Sequence, residues 1–345
     1  MRALLSSAIA LVGSLAFAAP TMAGTAWVSS NHIQIVDTDT ARVVGRIPLQ
    51  EFIHDMEFSP DGSSVYVASS QALRVADAKE LRFTQTVAQG GHIALSVASV
   101  AGFVATLTKG DDATSLAARK AGETLPPTTV TVYVPSDMSV HSTWEVPAGS
   151  RDIVMSPDAS TVHVLLPTAG QIRTFDNKGA EIGTIDVAPV ARNAKGQVEA
   201  IFSAMEMSPD GTTVMLPTTS EFKSAIVDVD LSGDRSESVL VQDLGHRRRI
   251  QGVAWDEDGS GIYVTAVNHV VKFSSNGLPL AWQQMAVNYV DIAPLPGSDE
   301  TVMVAPTFSS KRRSGGVSVV DANGKVLRTV ELPDMSPFHV AIAPQ

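Results

Sequence analysis

One short phrase recurs along this chain and limits the folds open to it. Phe58-Ser59-Pro60-Asp61-Gly62, Met155-Ser156-Pro157-Asp158 and Met207-Ser208-Pro209-Asp210-Gly211 are copies, and Trp255-Asp256-Glu257-Asp258-Gly259 is a degenerate one. Each copy follows a short apolar run and precedes another: Val65-Tyr66-Val67, Val162-His163-Val164, Val214-Met215-Leu216 and Ile262-Tyr263-Val264. Pro presets one turn dihedral and Asp-Gly completes the reversal, so each copy reads as the turn between two strands. Self-similarity of this kind announces a repeat architecture, in which every unit buries its faces against its neighbours.

The unit is longer than one hairpin. A third run ends in Asp, as in Ile33-Gln34-Ile35-Val36-Asp37, Leu73-Arg74-Val75-Ala76-Asp77, Ile172-Arg173-Thr174-Phe175-Asp176 and Val317-Ser318-Val319-Val320-Asp321. A fourth run alternates, as in Val43-Val44-Gly45-Arg46-Ile47 and Val326-Leu327-Arg328-Thr329-Val330. Four short, β-branched, turn-bounded strands per unit predict the blade of a β-propeller. First strands are expected near Ile53, His92, Arg151, Ser203, Gln251, Tyr289 and Phe338, which makes seven blades. That is about 46 residues per blade, within the range for four strands with loops. The region 24–345 is therefore expected to be one all-β domain, a seven-bladed propeller of four-stranded antiparallel blades. Its N-terminal Ala26-Trp27-Val28 reads as a second strand and Phe338 to Pro344 as a lone first strand. The C-terminal strand is expected to complete the N-terminal blade and close the ring.

These residues resemble the YVTN-repeat propeller family. Asp61-Gly62-Ser63-Ser64-Val65-Tyr66-Val67-Ala68 and Ile35-Val36-Asp37-Thr38-Asp39-Thr40 carry the likeness best. The resemblance implies the fold over nearly all of 24–345. It leaves the role open, because its members include exported bacterial proteins, archaeal surface-layer proteins, and relatives among lactonases and the propeller subunits of amine dehydrogenases.

Residues 1–23 read as an export signal: Arg2, an uncharged apolar run from Ala3 to Phe17, then small residues through Ala23. Cleavage after Ala23 is expected, with Ala18 as the competing position. The run is too short to span a bilayer comfortably, and no second one follows, so no transmembrane segment is expected. The chain has no cysteine. That removes disulfides, thiolate metal sites, Fe–S clusters, attached haem and a lipoprotein anchor. A periplasmic or secreted protein is expected. A net charge of −11 argues against nucleic acid as a partner.

Propeller topology places loops that enter first strands, and loops joining second to third strands, on one face, here called the top. Function usually sits on irregular loops held by a regular scaffold, and the unusual residues fall there. His54, His92, Arg151, Ser203 and Gln251 are read as matched positions at first-strand starts, with His339 one register later. Arg247-Arg248-Arg249 enters the sixth blade, with Arg249 nearest the strand. Lys311-Arg312-Arg313 lies between the second and third strands of the seventh, and an insertion from Lys109 to Pro127 lies on the third. The expected ligand-binding residues are His54, His92, Arg151, Arg249, Gln251 and His339. Arg suits carboxylate and phosphate groups, so an anionic small molecule or glycan, or a protein partner, is expected. His54, His92 and His339, with a carboxylate such as Asp55, are the candidate ligands should a metal ion bind; no other cofactor is expected.

Glu57, Glu206 and Asp291 read as one register within three first strands, where they are expected to be partners of neighbouring strands. Asp256-Glu257-Asp258-Gly259 resembles a calcium loop but occupies the repeat's turn position. No nucleophile elbow, phosphate loop or complete catalytic set occurs. A non-enzymatic binding scaffold is thus the leading expectation. A propeller subunit of a periplasmic redox enzyme similar to amine dehydrogenases, and a lactonase-like metal-dependent hydrolase, are the alternatives.

Overall fold

The structure, a computed structural model, describes residues 24–88, 93–109, 126–187, 201–202, 204–219, 224–231, 239–243, 250–275, 278–309, 314–333 and 335–344. They form seven antiparallel blades. In the first blade the C-terminal strand His339–Ile342 lies innermost. It pairs with Thr25–Ser29, which is followed by Ile33–Asp37 and Arg42–Ile47. The second blade runs Ile53–Phe58, Ser64–Ser69, Ala72–Asp77 and Arg82–Ala88 from the centre outward. The remaining inner strands are Ile93–Val100, Asp152–Met155, a split strand of Ile201–Phe202 and Glu206–Met207, Ile250–Trp255, and Asp291–Pro294. Each inner strand touches the next, and His339–Ile342 touches both Asp291–Pro294 and Ile53–Phe58, so the ring is closed.

A strand buried on one face shows alternation, but these second strands are buried continuously: Ser64–Ser69 and Gly261–Ala266 have almost no exposed position. The reason is that each blade is sandwiched between two others. Seven apolar clusters result, one at every blade-to-blade interface. Trp27, Ile35 and Ile47 of the first blade pack on Met56, Phe58 and Val67 of the second. Val28 and Val340 pack on Val304 and Val317 of the seventh. The outer strands face solvent and read accordingly, as in Glu181–Asp186.

The repeated turn also joins blades. Gly62, Gly211 and Gly259 all have φ near +70°, the region open to glycine. A Cβ at Gly211 would lie 2.4 Å from Pro157 of the preceding blade's turn, and one at Gly62 would lie 3.3 Å from Pro344. Proline of one turn therefore rests on glycine of the next. Within each turn the aspartate satisfies the backbone: Asp61 Oδ1 accepts from Ser59 Oγ at 2.6 Å and from the Ser63 amide at 3.1 Å. Asp210 repeats this with Ser208 and Thr212. The third-strand aspartates do the same on the other hairpin, Asp77 Oδ1 accepting from the Lys79 and Glu80 amides. Turn chemistry thus accounts for these aspartates.

No described residue is helical, and no helix is long and apolar enough to cross a membrane. Residues 1–23, most of the blade-three insertion (110–125), His92, Ser203, Arg247-Arg248-Arg249 and Lys311-Arg312-Arg313 lie outside the described residues.

Candidate functional site

A channel of about 2230 Å³ runs between the inner strands, open at the top among Phe52, His54, Arg151 and Gln251 and reaching the Pro60, Pro157 and Pro209 turns below. What lines it follows from strand register. Pairing of inner with second strand skips one residue at the top of three blades. The skips fall between Ile53 and Asp55, Ala94 and Ser96, and Ile250 and Gly252. A bulge of this kind re-aims the extra side chain. The bulged residues are His54, Leu95 and Gln251. Arg151 and Phe338 hold the same place, immediately before their strands, with Arg151 N–H donating to Leu165 O and Phe338 N–H to Ser29 O. His54, Arg151 and Gln251 are therefore matched around the mouth, as expected. In the third blade Leu95 stands at that position; His92 lies outside the described residues.

The mouth has an aromatic side and a basic side. Phe52 packs on the His54 ring at 4.9 Å and on Phe338 at 5.7 Å, and both phenylalanines are exposed. His54 Nε2 lies 3.2 Å from Ser70 Oγ. Arg151 is exposed and Lys109 half-buried, and both line the opening. Gln251 Oε1 is buried with no hydrogen-bond partner among the described residues.

One residue below the mouth the wall changes sign. The next register is His339, Asp55, Ser96, Asp152, Ala204, Gly252 and Asp291, in blade order one to seven. Three of these are aspartates that bind the next blade. Asp55 Oδ2 accepts the Val97 amide at 2.9 Å, Asp152 Oδ2 accepts that of Met205 at 2.7 Å, and Asp291 Oδ2 accepts that of Val340 at 2.9 Å. The other oxygen of each accepts the amide that follows it in sequence: Met56, Ile153 and Ile292. Ser96 Oγ reaches both Asp55 Oδ2 and Asp152 Oδ1, linking three blades. His339 occupies the aspartate register of the first blade, and its Nδ1 lies 3.9 Å from Asp291 Oδ2.

Two residues further down are Glu57 and Glu206. Glu57 Oε2 accepts the Ser99 amide at 2.8 Å. The Glu206 carboxylate accepts no hydrogen bond from the described residues, although its backbone pairs with Met215. Asp291 does not share the register of these two glutamates, as the sequence had suggested; it belongs with Asp55 and Asp152. It does have the expected relation to a neighbouring strand. The missed signal was legible: Asp55, Asp152, Asp291 and His339 each stand five residues before a proline, namely Pro60, Pro157, Pro296 and Pro344.

Crowding shifts the ionisation of this ring. Burial, followed by the charge of Asp55, pushes Asp152 up to about 7. Burial pushes Asp291 up to about 6, with His339 opposing the rise. Burial, then the neighbouring carboxylates, raises Glu57 and Glu206 well above the usual range. Among the described residues no three His, Asp or Glu side chains are grouped closely enough to hold a metal ion. His54 and His339 lie in successive registers of adjacent blades.

No protein-family model matches this sequence, and no curated protein is significantly similar to it. The fold is shared with solved structures. One is a functionally unknown protein from Desulfotomaculum acetoxidans, with a TM-score of 0.69 and 17% identity over 94% of this chain and 100% of that one. Another is hydrazine synthase from Kuenenia stuttgartiensis, with a TM-score of 0.66 and 13% identity over 88% of this chain and 93% of that one. A third is a protein of unknown function from Bacteroides caccae, with a TM-score of 0.53 and 12% identity over 92% and 97% of the two chains. At these identities the likeness is one of fold. The class defined is a seven-bladed β-propeller with carboxylates among the residues that line its central channel.

Proposed function

We propose that this chain is an exported, periplasmic or secreted propeller of the YVTN-repeat type. In this reading it acts as a non-enzymatic scaffold and engages a protein partner or an anionic ligand at the top mouth of its channel. The observation that carries the reading is the matched register of His54 and Gln251, at bulges, and Arg151, just before its strand, all three of which line one opening. The opposite face, by contrast, is used up by proline-on-glycine turns. Arg151 and Lys109 make the rim the place for an anion; the carboxylates beneath them would repel one, so such a ligand rests on the rim.

The test is capture of partners from a periplasmic extract by wild type, by an Arg151→Ala/Arg249→Ala variant, and by an Asp61→Ala/Asp210→Ala variant. The arginine variant is expected to fold as wild type does: Arg151 is exposed, and exposed charges contribute little to stability. It should bind at least tenfold more weakly, with a partner affinity that falls as salt is added. Loss of binding in the turn variant alone would put the site on the other face.

A further inference from the structure

The outer strand of the sixth blade departs from its counterparts. In six blades the pairing of third with outer strand skips one residue: Val44, Thr84, His141, Ile182, Leu280 and Leu327. An exposed apolar residue at or beside this bulge recurs in other blades, as Val44, Val140, Ile182 and Leu327 show. Two places beyond the skipped residue stand Arg46, Thr86, Thr143, Thr184 and Thr329 in five of the six blades, all exposed. In the sixth blade that place is taken by Trp282, which is 45% exposed, with its ring 5.4 Å from that of His269. Leu278, just before the same strand, and Leu280 within it are exposed beside it.

Charge sets this strand apart as well. The outer strands Arg42–Ile47, Arg82–Ala88, Ser139–Val146, Glu181–Asp186, Val239–Asp243 and Val326–Leu332 each contain at least one acidic or basic residue, whereas none stands between Lys272 and Asp291. Charges on outer strands keep copies of a sheet apart. A two-fold contact sets each residue near its axis against its own image, so a charge there repels itself whatever its sign. On a chain of net charge −11, Pro279–Gln284 is the outer strand on which two copies can meet without that repulsion. We propose that this strand is a self-association surface, through which a second copy of the chain packs Trp282, Leu280 and Leu278 against their equivalents. Stable interfaces bury about 800 Å² per partner, more than a few side chains supply, so the dimer belongs in the micromolar range.

The proposal goes beyond the rim reading and is tested separately from it. The processed protein is followed by sedimentation equilibrium from about 1 μM to about 200 μM, which brackets such an equilibrium. A mass rising from monomer to dimer is expected, with a blue shift of the Trp282 emission, since Trp27 and Trp255 are buried already. Trp282→Thr installs the residue that four other blades carry there, so it should keep the wild-type melting curve, and its dimer should dissociate at least tenfold more readily. Gln284→Glu, which sets image charges together, should weaken the dimer as much at low salt and recover at high salt. Ile182→Thr, which alters an equally exposed apolar residue of the fourth blade, and Arg151→Ala at the mouth should both dimerise as wild type does, so failure of partner capture at the rim leaves this result untouched. A monomer at every concentration, undiminished association in Trp282→Thr, or equal weakening in Ile182→Thr overturns the inference. A monomer whose Trp282 emission responds instead to a neutral oligosaccharide, with cellohexaose as the probe, overturns it too and assigns the strand to a glycan.

Discussion

Aspartate performs two opposite tasks in this repeat. In the turns it is exposed, and hydrogen bonds from Ser156 and Ser160 lower Asp158 to about 2. In the channel it is enclosed among its own kind, and Asp152 rises to about 7. The sign of the pH dependence follows. Asp152 and Asp291 have folded values above their ordinary 3.8, so the folded protein takes up protons that the unfolded chain does not hold until the pH nears 4. The stability they contribute is present in full below that value and is lost as pH rises through 6 and 7. The turn aspartates act in the opposite sense, but only as pH falls from about 4 toward 2. Thermal melts should therefore give a higher Tm at pH 5 than at pH 8. The difference should be a few degrees, at about 2–4 °C per kcal/mol for a domain of this size. Asp152→Asn should flatten the profile. A Tm that climbs steadily from pH 5 to pH 8 would contradict this account of the ring.

Glycine at the turns gives a second prediction at the same scale. Gly211 and Gly259 have similar positive φ, +72° and +70°, so alanine at either costs about 1–2 kcal/mol of backbone strain. Only at Gly211 would the added carbon strike a neighbour, Pro157 Cδ at 2.4 Å; at Gly259 the nearest atom of Pro209 is 3.7 Å away. Gly211→Ala should accordingly lower the denaturation midpoint more than Gly259→Ala. Equal losses would mean that the turns do not bear on one another.

At the level of strands and turns, the sequence showed the blades clearly and the channel poorly. Turn residues and β-branched runs repeat because every blade needs the same hairpins, so seven units could be counted. Inner-strand register misleads when counted from the strand starts, because bulges before Asp55, Ser96 and Gly252 add a residue there; counted back from the turn proline it is legible. Asp291, grouped with Glu57 and Glu206 when counted from its strand start, falls with Asp55 and Asp152 when counted back from Pro296. Gly252 shows how local the constraint is: it stands in the aspartate register, but a Cβ there would lie 2.8 Å from Asp291 Cα, so the sixth blade cannot carry an aspartate of its own.

The inner strand of the first blade tests the ring at this scale. Removing Pro337 to Gln345 would take away buried Val340 and Ala341 and half-buried Ile342; Phe338 is exposed and contributes little to this core. Each fully buried side chain of valine size is worth about 1.5–3 kcal/mol. The same deletion would strip Asp291 of the Val340 amide and Gly62 of Pro344. The truncated protein is expected to melt at least 10 °C lower and to aggregate through its exposed strand edges. An unchanged melting curve would show that the strand is dispensable.

Across the whole molecule, the two faces of the ring have different kinds of chemistry. One carries bulges, aromatic rings and cations around an opening; the other carries a chain of prolines seated on glycines. The first blade is assembled from distant parts of the polypeptide, and its seam lies on the second face: the Ala343 amide donates to Thr25 O, and Pro344 rests on Gly62. Gly24 and Pro344 therefore both stand on the side away from the mouth. A tether attached at either end, whether to a bead, a fluorescent protein or a surface, would hold the ring with its opening turned outward and unobstructed.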